Sequence, residues 1–336
     1  MSRAEDALKR LDPAWDLDRL PAAPRLDWSR VDEGTRATSR RRGWHRRTVL
    51  GAVAAGAAVV VAGVAVVQIA GPSAPVLAAT PPPLSLQYAH NPPPARDALL
   101  RLATTLQSGP TGTDQGGRFS FVQVGQWSLN MASGKGGTAV AVVPQVVSTW
   151  RAPDGSGKIA TVDLDSFAID QRPDAATVIA AASHRAATVE NYPVGELAAV
   201  VAEPLPRDVT ALERALYAHQ PRANGPKSAV RAVADLYRTN TVDRDVRVAV
   251  LQFLARTDAV LLRGTVTDRL GREGLAVSVD SDGGGTRDLL VFDRHTGWLL
   301  AYESMYLRPP EKLPVRTPAV FSYVLYLDHG RRADMS

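Results

Sequence analysis

The hydrophobic pattern of the chain changes from helical to alternating shortly after residue 95. Residues 95–107 place Leu99, Leu102 and Leu106 at helical spacing, and the segments that follow alternate apolar and polar positions as strands do. The first strand pattern, RFSFVQVGQWSLNM, changes phase near Gly125, which predicts a β-bulge. Two further strand patterns, AVAVVPQVVSTWRA and KIATVDLDSF, flank the sequence PDGSGK, which predicts a hairpin turn.

Helical patterns return in the middle of the chain. Thr210 and Glu213 have the spacing of a capping box ahead of LERALYAH. The segments SAVRAVADLY and VDRDVRVAVLQFLART each place apolar residues on one helical face, and we expect Asp243 to cap the second. The two apolar faces consist of Val230, Val233, Ala234 and Tyr237, and of Val246, Ala249, Val250, Phe253 and Leu254.

From Ala259 the pattern predicts a β-meander of five strands. AVLLRGTVTD, EGLAVSVD, TRDLLVFD, GWLLAYESMYL and AVFSYVLYLD alternate and are separated by turn sequences or, before the fifth, by a Pro-containing loop. Helices followed by consecutive strands are typical of an α+β fold. We therefore predict that residues 95–336 form an α+β domain in which a curved antiparallel sheet packs against helices. This layout resembles the half-barrel fold of periplasmic lipoprotein carriers, which implies a half-barrel as one form of the sheet.

A long uncharged segment precedes this domain and predicts one transmembrane helix over residues 48–70. Residues 49–70 carry no charge and would span roughly 33 Å as a helix, close to the thickness of a bilayer core. Two alternatives remain: a cleaved signal peptide, whose apolar core is typically shorter, and a buried helix of a soluble protein. We expect the uncleaved anchor, because about 45 residues precede the run.

Charge on the two sides of this segment predicts the orientation of the protein. Basic residues cluster on the N-terminal side, and no charge follows the segment until Arg96. The residues that we expect to set the topology are Arg40, Arg41, Arg42, Arg46 and Arg47. The sequence thus predicts a cell-membrane protein with residues 1–47 in the cytoplasm, a Pro-rich linker over residues 71–94, and an extracytoplasmic C-terminal domain.

The predicted cytoplasmic tail carries spaced large apolar residues among charges. PAWDLDRL and RLDWSRV resemble two copies of one motif, and three prolines limit any helix to short pieces. Such a tail is largely disordered alone but can order on a partner, for which the candidate residues are Trp15, Leu17, Leu20, Leu26 and Trp28. The alternative is a solvated tail with no partner.

Composition and charge exclude several classes of function. The chain lacks cysteine, which excludes disulfides and cysteine nucleophiles. Of its net charge of +5, residues 1–47 contribute +4, from 12 basic and 8 acidic residues, so the remainder is nearly neutral. A nucleic-acid partner is therefore not expected.

The sequence predicts no catalytic residues, no metal site and no cofactor. The histidines are scattered, and no nucleophile elbow is present. GSGKIA fits a loose dinucleotide pattern, but a strand pattern rather than a helix follows it, so we interpret it as a hairpin turn. DSDGGGTRD resembles a calcium loop without its final Glu, and we interpret it as a glycine turn.

Several segments resemble a group of single-pass membrane proteins of high-GC Gram-positive bacteria. The resemblance runs from about residue 44 onward and is most distinctive in GTVTDRLGREGLAVSVD and LVFDRHTGWLLAYES. These proteins are of unassigned function and are often encoded beside extracytoplasmic-function sigma factors. The resemblance implies a membrane-bound regulator of anti-sigma type, with no catalytic residues to transfer.

Two functions follow as expectations, and neither is enzymatic. In the first, the protein is a regulator whose tail binds a sigma factor and whose outer domain senses a signal. In the alternative, the domain is an envelope carrier that binds a lipid or a lipoprotein. For the regulator, we expect Trp15→Ala combined with Trp28→Ala to abolish pull-down of the partner by residues 1–47.

Overall fold

One nine-stranded sheet organises the domain in the computed structural model of this chain. The structure describes residues 80–109, 116–134, 137–165, 174–310 and 315–335, with side chains of 129–143 excepted. The sheet is antiparallel throughout, in the order β4-β3-β2-β1-β9-β8-β7-β6-β5. The predicted α+β class with a curved antiparallel sheet and packed helices is confirmed.

The strands and helices fall close to the segments that the hydrophobic pattern predicts. The strands are β1 Phe119–Gly134, β2 Gly137–Arg151, β3 Gly157–Asp163, β4 Thr188–Tyr192, β5 Leu261–Thr267, β6 Glu273–Ser281, β7 Thr286–Phe292, β8 Leu299–Tyr306 and β9 Ala319–Arg332. The helices are α1 Arg96–Ser108, α2 Ala175–Ala181, α3 Val209–His219, α4 Lys227–Thr239 and α5 Arg244–Ala255. All five predicted strands of the meander are present.

One face of the sheet, here called the helix face, packs against four helices. Helices α1, α3, α4 and α5 bury the predicted apolar residues against it. The sheet contributes alternate positions, since side chains of a strand point to opposite faces. These positions are Val122, Val124, Val277, Val279, Leu290, Phe292, Tyr302, Val324 and Tyr326.

The opposite face has its own apolar cluster, covered by helix α2 and by residues 80–94, here called the strap. Leu84 and Leu86 of the strap and Ile179 of α2 pack against a group centred on Trp127 and Tyr323, whose rings stack at 5.6 Å. The sheet therefore has both faces covered over its central strands.

The strap also runs along β5, at the edge of the sheet. Tyr88 N donates to the carbonyl of Arg263 at 3.1 Å, and Leu262 N donates to the carbonyl of Pro93 at 2.8 Å. The guanidinium of Arg263 donates to the carbonyls of Tyr88 and Ala89. Of the predicted linker over residues 71–94, the part from residue 80 thus lies on the domain.

Local signals at chain reversals and helix starts were partly correct. Asp243 caps α5 by accepting from Val246 N at 2.9 Å, as predicted. The predicted capping box at Thr210 and Glu213 is wrong, because Asp208 caps α3 by accepting from Ala211 N. Asp208 therefore serves as the N-cap residue two positions before Thr210, and it makes the kind of side-chain hydrogen bond that was expected of the threonine.

The bulge and the turns agree with the sequence. Strand β1 shifts register against β9 between Gln123 and Val124, next to the predicted position at Gly125. A Cβ at Gly125 would collide with the side chain of Ile179. The predicted turn at PDGSGK joins β2 to β3 with Gly155 at φ +75°, so this loop opens no helix on which a phosphate could rest.

Candidate functional site

Large aromatic and aliphatic side chains pack between the helices and the sheet in the part of the chain that the structure describes. Tyr237 of α4 packs edge-on against Trp298 and Tyr326, with ring centroids 5.0 and 6.2 Å apart. The hydroxyl of Tyr326 donates to the carbonyl of Ala234 at 2.7 Å. Burial raises the pKa of both tyrosines, which therefore stay neutral. An acyl chain could enter here only by displacing these side chains.

A pocket of about 300 Å³ opens instead at the margin of the helix face, where α3 and α5 begin. Five of its seven lining residues are polar or charged. The lining residues are Glu203, Pro204, Leu205, Arg207, Thr241, Asp243 and Arg331. The composition suits a polar ligand better than a hydrocarbon chain.

Strand register brings two arginines to this margin. Ser120 of β1 lies opposite Arg151 of β2 on one side and opposite Arg331 of β9 on the other. The three residues form one row across three neighbouring strands, and strands lie about 4.8 Å apart. Residues in such a row point to the same face, so both guanidinium groups reach the same place.

Glu203 joins the two arginines. Arg151 Nη2 donates to Glu203 Oε1 at 2.9 Å, and Arg331 Nη2 donates to Glu203 Oε2 at 2.7 Å. The side chains of Arg151 and Glu203 are 5% and 8% exposed, whereas that of Arg331 is 29% exposed. We call these three residues the arginine cluster. Arg331 is its reachable cation.

The arginine cluster carries more positive than negative charge. Burial lowers the pKa of Arg151, the charge and hydrogen bond of Glu203 oppose that effect, and the charge of Arg331 adds to it. Within the described residues, Arg151 Nε is buried and has no hydrogen-bond partner. One carboxylate thus serves two guanidinium groups.

Polar groups fix the remaining walls of the pocket. Thr241 N donates to Ser120 Oγ at 2.8 Å, and the Thr241 hydroxyl donates to the carbonyl of Gly330 at 2.8 Å. At the mouth, Arg207 pairs with Asp243 at 3.0 Å, and Asp243 also caps α5. The row of strands and the start of α5 are therefore held together at the pocket.

Two other acidic residues lie at the centre of the sheet and are closed to solvent. Asp288 accepts hydrogen bonds from Arg231, Tyr302 and Ser304 on the helix face. Glu303, on the opposite face, accepts from Arg269 Nε and Nη2 at 2.7 and 2.9 Å. Both carboxylates are fully buried, so no substrate can reach them in this structure.

The sequence-predicted site residues lie outside the described part of the chain. They comprise the tail residues Trp15, Leu17, Leu20, Leu26 and Trp28 and the topology residues Arg40, Arg41, Arg42, Arg46 and Arg47. The span predicted over residues 48–70 also lies outside it, so orientation and sigma-factor binding stay predictions. Among the helices that are described, none has the length and apolar character needed to cross a bilayer.

Residues 80–109, 116–134, 137–165, 174–310 and 315–335 contain no cluster of three or more His, Asp or Glu suited to a metal ion. The two acidic residues of the DSDGGGT segment that was considered for calcium have other partners. Asp280 pairs with Arg263 and Arg287, at 3.3 and 2.6 Å. Asp282 pairs with Lys227 at 2.9 Å and accepts from the Thr286 hydroxyl, next to Gly283 and Gly284 at positive φ. The segment is a glycine turn, as predicted.

The sequence did not point to the arginine cluster. Arg151 and Arg331 stand 180 residues apart in the chain, and Glu203 lies in a loop. The one available signal was an arginine at the inward phase of an otherwise apolar strand end, as in VVSTWRA. Pairing of β2 and β9 with the same strand decides the rest, and that pairing is not readable locally.

Comparison with known proteins shows no family match. No family model matches the chain, and no curated protein matches it. Two solved structures are similar over most of their length. A DUF1329 family protein from Desulfovibrio piger is 11% identical with a TM-score of 0.20, covering 73% of this chain and 95% of that one. A LolA superfamily protein from Nitrosomonas europaea is 8% identical with a TM-score of 0.17, covering 72% and 94%. The fold of this chain is therefore described from its own strand order and not from these two structures.

Proposed function

We propose that residues 80–335 form a ligand-binding domain of the cell envelope, which holds its ligand in the pocket beside the arginine cluster and performs no chemistry on it. The observation that carries this proposal is the pocket of about 300 Å³, toward which Arg331 and Glu203 converge from separate parts of the chain. Concave sites with a few convergent polar groups are the usual places where proteins bind small molecules.

A binding role fits the chemistry of the pocket better than catalysis does. The acidic residues at the pocket are engaged by arginines, and the hydroxyl of Thr241 is committed to the carbonyl of Gly330. A general base needs a free acceptor near the reacting group, and a nucleophile needs such a base beside it. The charged groups on the pocket wall are thus paired with one another, which suits binding of a charged ligand better than proton transfer.

The envelope location of this function rests on the predicted anchor and orientation. Of the two expectations from the sequence, ligand binding in the envelope is the one that the described residues support with a site. Because large aromatic side chains pack under the helices, we place the binding site at the pocket on the margin of the helix face. Regulation through a sigma factor would use residues 1–47 and is compatible with a ligand-binding outer domain.

The proposal is tested by identifying what the protein carries from its native cells. The full chain is extracted in a neutral detergent, purified and denatured, and the released molecules are identified by mass spectrometry. We expect at least one compound to be enriched on the wild type relative to an Arg331→Gln variant. Arg332→Gln is the matched control, because Arg332 is next in the chain and pairs with Asp328 instead. Equal content in the wild type and Arg331→Gln would contradict the proposal.

A further inference from the structure

We infer that the pocket binds an acidic group of its ligand, a single phosphate or carboxylate, and that Arg331 is the residue that binds it. This inference rests on the proposed function and gives it a ligand class. It is carried by three observations at the arginine cluster: its charge, its unused hydrogen-bond donors and the carboxylates at the pocket mouth.

The first observation is the charge balance within the arginine cluster, which is partly buried. Arg151 and Arg331 share the single carboxylate of Glu203, so the three ionised groups sum to one positive charge. Charge near buried surroundings is screened less than charge in water and attracts a counter-ion more strongly. An anion in the pocket would complete the neutralisation that Glu203 begins.

The second observation is the unused hydrogen-bonding capacity of Arg331. A guanidinium has five N–H donors, and within the described residues Arg331 uses one, from Nη2 to Glu203. By contrast, Arg272, whose partners are Asp268 and the carbonyls of Leu300 and Tyr326, donates from all three of its nitrogens. Arg331 lines the pocket and Arg151 does not, so the unused donors of Arg331 are those that a ligand can reach. Paired oxygens of a phosphate or carboxylate match the fork of a guanidinium.

The third observation limits the ligand to one acidic group. Asp243 lines the mouth, and Asp245 lies 3.9 Å from the same Arg207 that Asp243 binds. Arg207 offsets one of these two negative charges, and the remaining one would repel a second anionic group at the entrance, because like charges at close range disfavour each other. A polyphosphate or a nucleic-acid backbone therefore fits this pocket poorly, whereas one acidic group with a neutral or cationic remainder fits it well.

A single acidic group can come from a lipid headgroup or from a soluble acid. The two sources are distinguished by comparing glycerol 3-phosphate with dihexanoyl phosphatidylglycerol, which presents a phosphate with acyl chains attached. Tenfold tighter binding of the lipid would assign the lipid source, and equal binding would assign a soluble acid. Either result requires that the acidic group itself binds.

The test is calorimetric titration of the full chain in neutral detergent with sodium phosphate and with sodium acetate, at constant ionic strength. We expect saturable binding of at least one anion to the wild type and at least a tenfold weakening in Arg331→Gln. Arg331→Lys keeps the charge without the fork and should fall between the two. Arg332→Gln should bind within twofold of the wild type. Circular dichroism melting checks that every variant is folded.

Two results would overturn the inference. One is equal anion binding by the wild type and a folded Arg331→Gln variant. The other is absence of phosphate and acetate binding while a compound still co-purifies with the wild type, which would leave the proposed function standing with a different ligand class. If no compound co-purifies and no anion binds, both proposals fail.

Discussion

Glu303 at the centre of the sheet and Glu203 at its margin show two ways of burying a carboxylate. Glu303 is fully enclosed and accepts two hydrogen bonds from one arginine, so the pair is neutral. Burial raises the pKa of Glu303, and the charge and hydrogen bonds of Arg269 oppose that rise. Glu203 binds one arginine through each oxygen, and the group of three keeps a net positive charge.

The difference separates a structural pair from a receptive one. A neutral, doubly hydrogen-bonded pair that is closed to solvent has nothing left to offer a ligand. The arginine cluster, by contrast, has surplus positive charge and unused hydrogen-bond donors beside a pocket, so it can bind a ligand. Burial of ionised groups is costly unless they are well paired. The surplus positive charge of the arginine cluster is therefore tolerated where solvent or a bound anion can reach Arg331.

The largest effect is expected from Glu303→Ala. It leaves the 11%-exposed side chain of Arg269 without its carboxylate, and breaking a buried pair in this way typically costs about 3–5 kcal/mol of the free energy of unfolding. Urea denaturation of the full chain in neutral detergent, followed by tryptophan fluorescence, measures the loss. The double variant Glu303→Leu with Arg269→Met is the control and should recover most of it. A loss below about 1 kcal/mol for the single variant would show that this pair is not closed.

Glu203→Gln is expected to lower the stability by less than Glu303→Ala does and to strengthen anion binding. Arg331 can turn to solvent while Arg151 cannot, so we expect a loss of about 1–3 kcal/mol, the usual range for an unsatisfied buried group. The charge of the cluster rises by one, so acetate and phosphate should bind more tightly than to the wild type. Glu190→Gln, on the exposed strand β4, is the matched control. Weaker anion binding by a folded Glu203→Gln variant would contradict the assigned charge balance.

A third effect, smaller again, concerns pH and is also located at the margin. Stacking on Trp298 partly desolvates the imidazole of His329, which is otherwise open to solvent. This desolvation, together with the charge of Arg247, lowers the pKa of His329 to about 4. The folded state therefore resists protonation that the unfolded chain accepts near pH 6.5. This part of the stability is complete above pH 6.5 and is lost as pH falls toward 4.

The expected loss for His329 is on the order of 1 kcal/mol, because solvent reaches the ring and screens it. Thermal denaturation between pH 7 and pH 4 measures it. His329→Gln should flatten this part of the profile, and His184→Gln, at a histidine that follows helix α2, should keep it. Identical profiles for wild type and His329→Gln would remove His329 as the source.

The smallest effect is expected from Arg332→Gln. Arg332 pairs with Asp328 at 2.9 Å, with side chains 33% and 52% exposed, and exposed pairs contribute about 0.2–1 kcal/mol. Its guanidinium also lies over the ring of Phe121. Urea denaturation should place this variant within about 1 kcal/mol of the wild type. A loss as large as that of Glu203→Gln would mean that the charge of β9, rather than the arginine cluster, matters at this margin.

The sequence predicted the elements well wherever local pattern decides them. The five strands of the meander and helices α1, α4 and α5 follow from alternation and helical spacing, because each buries one face of a regular element. Two short elements, α2 and β4, were missed. Strand β4 is almost entirely exposed, so it carries no hydrophobic alternation to detect.

The candidate site could not be predicted in the same way. Arg151, Glu203 and Arg331 meet because β2 and β9 both pair with β1 in a particular register, and a loop returns to that row. No local signal encodes this long-range pairing, since shifting a strand by one residue would turn each arginine to the other face. The tail residues chosen from the sequence remain predictions that concern a different part of the chain.

Because the strap packs on the sheet, the N-terminal boundary of a stable domain lies before the strap and not at Ala95. A chain cut to begin at Ala95, where the sequence places the start of the domain, would lose the carbonyls of Tyr88 and Ala89 that satisfy Arg263. It would also expose the edge of β5 and the apolar patch under Leu84 and Leu86. An open strand edge beside an apolar surface is a template for pairing with another copy. Self-association of such a shortened chain would therefore result from removal of the strap and would reveal nothing about the assembly of the native protein.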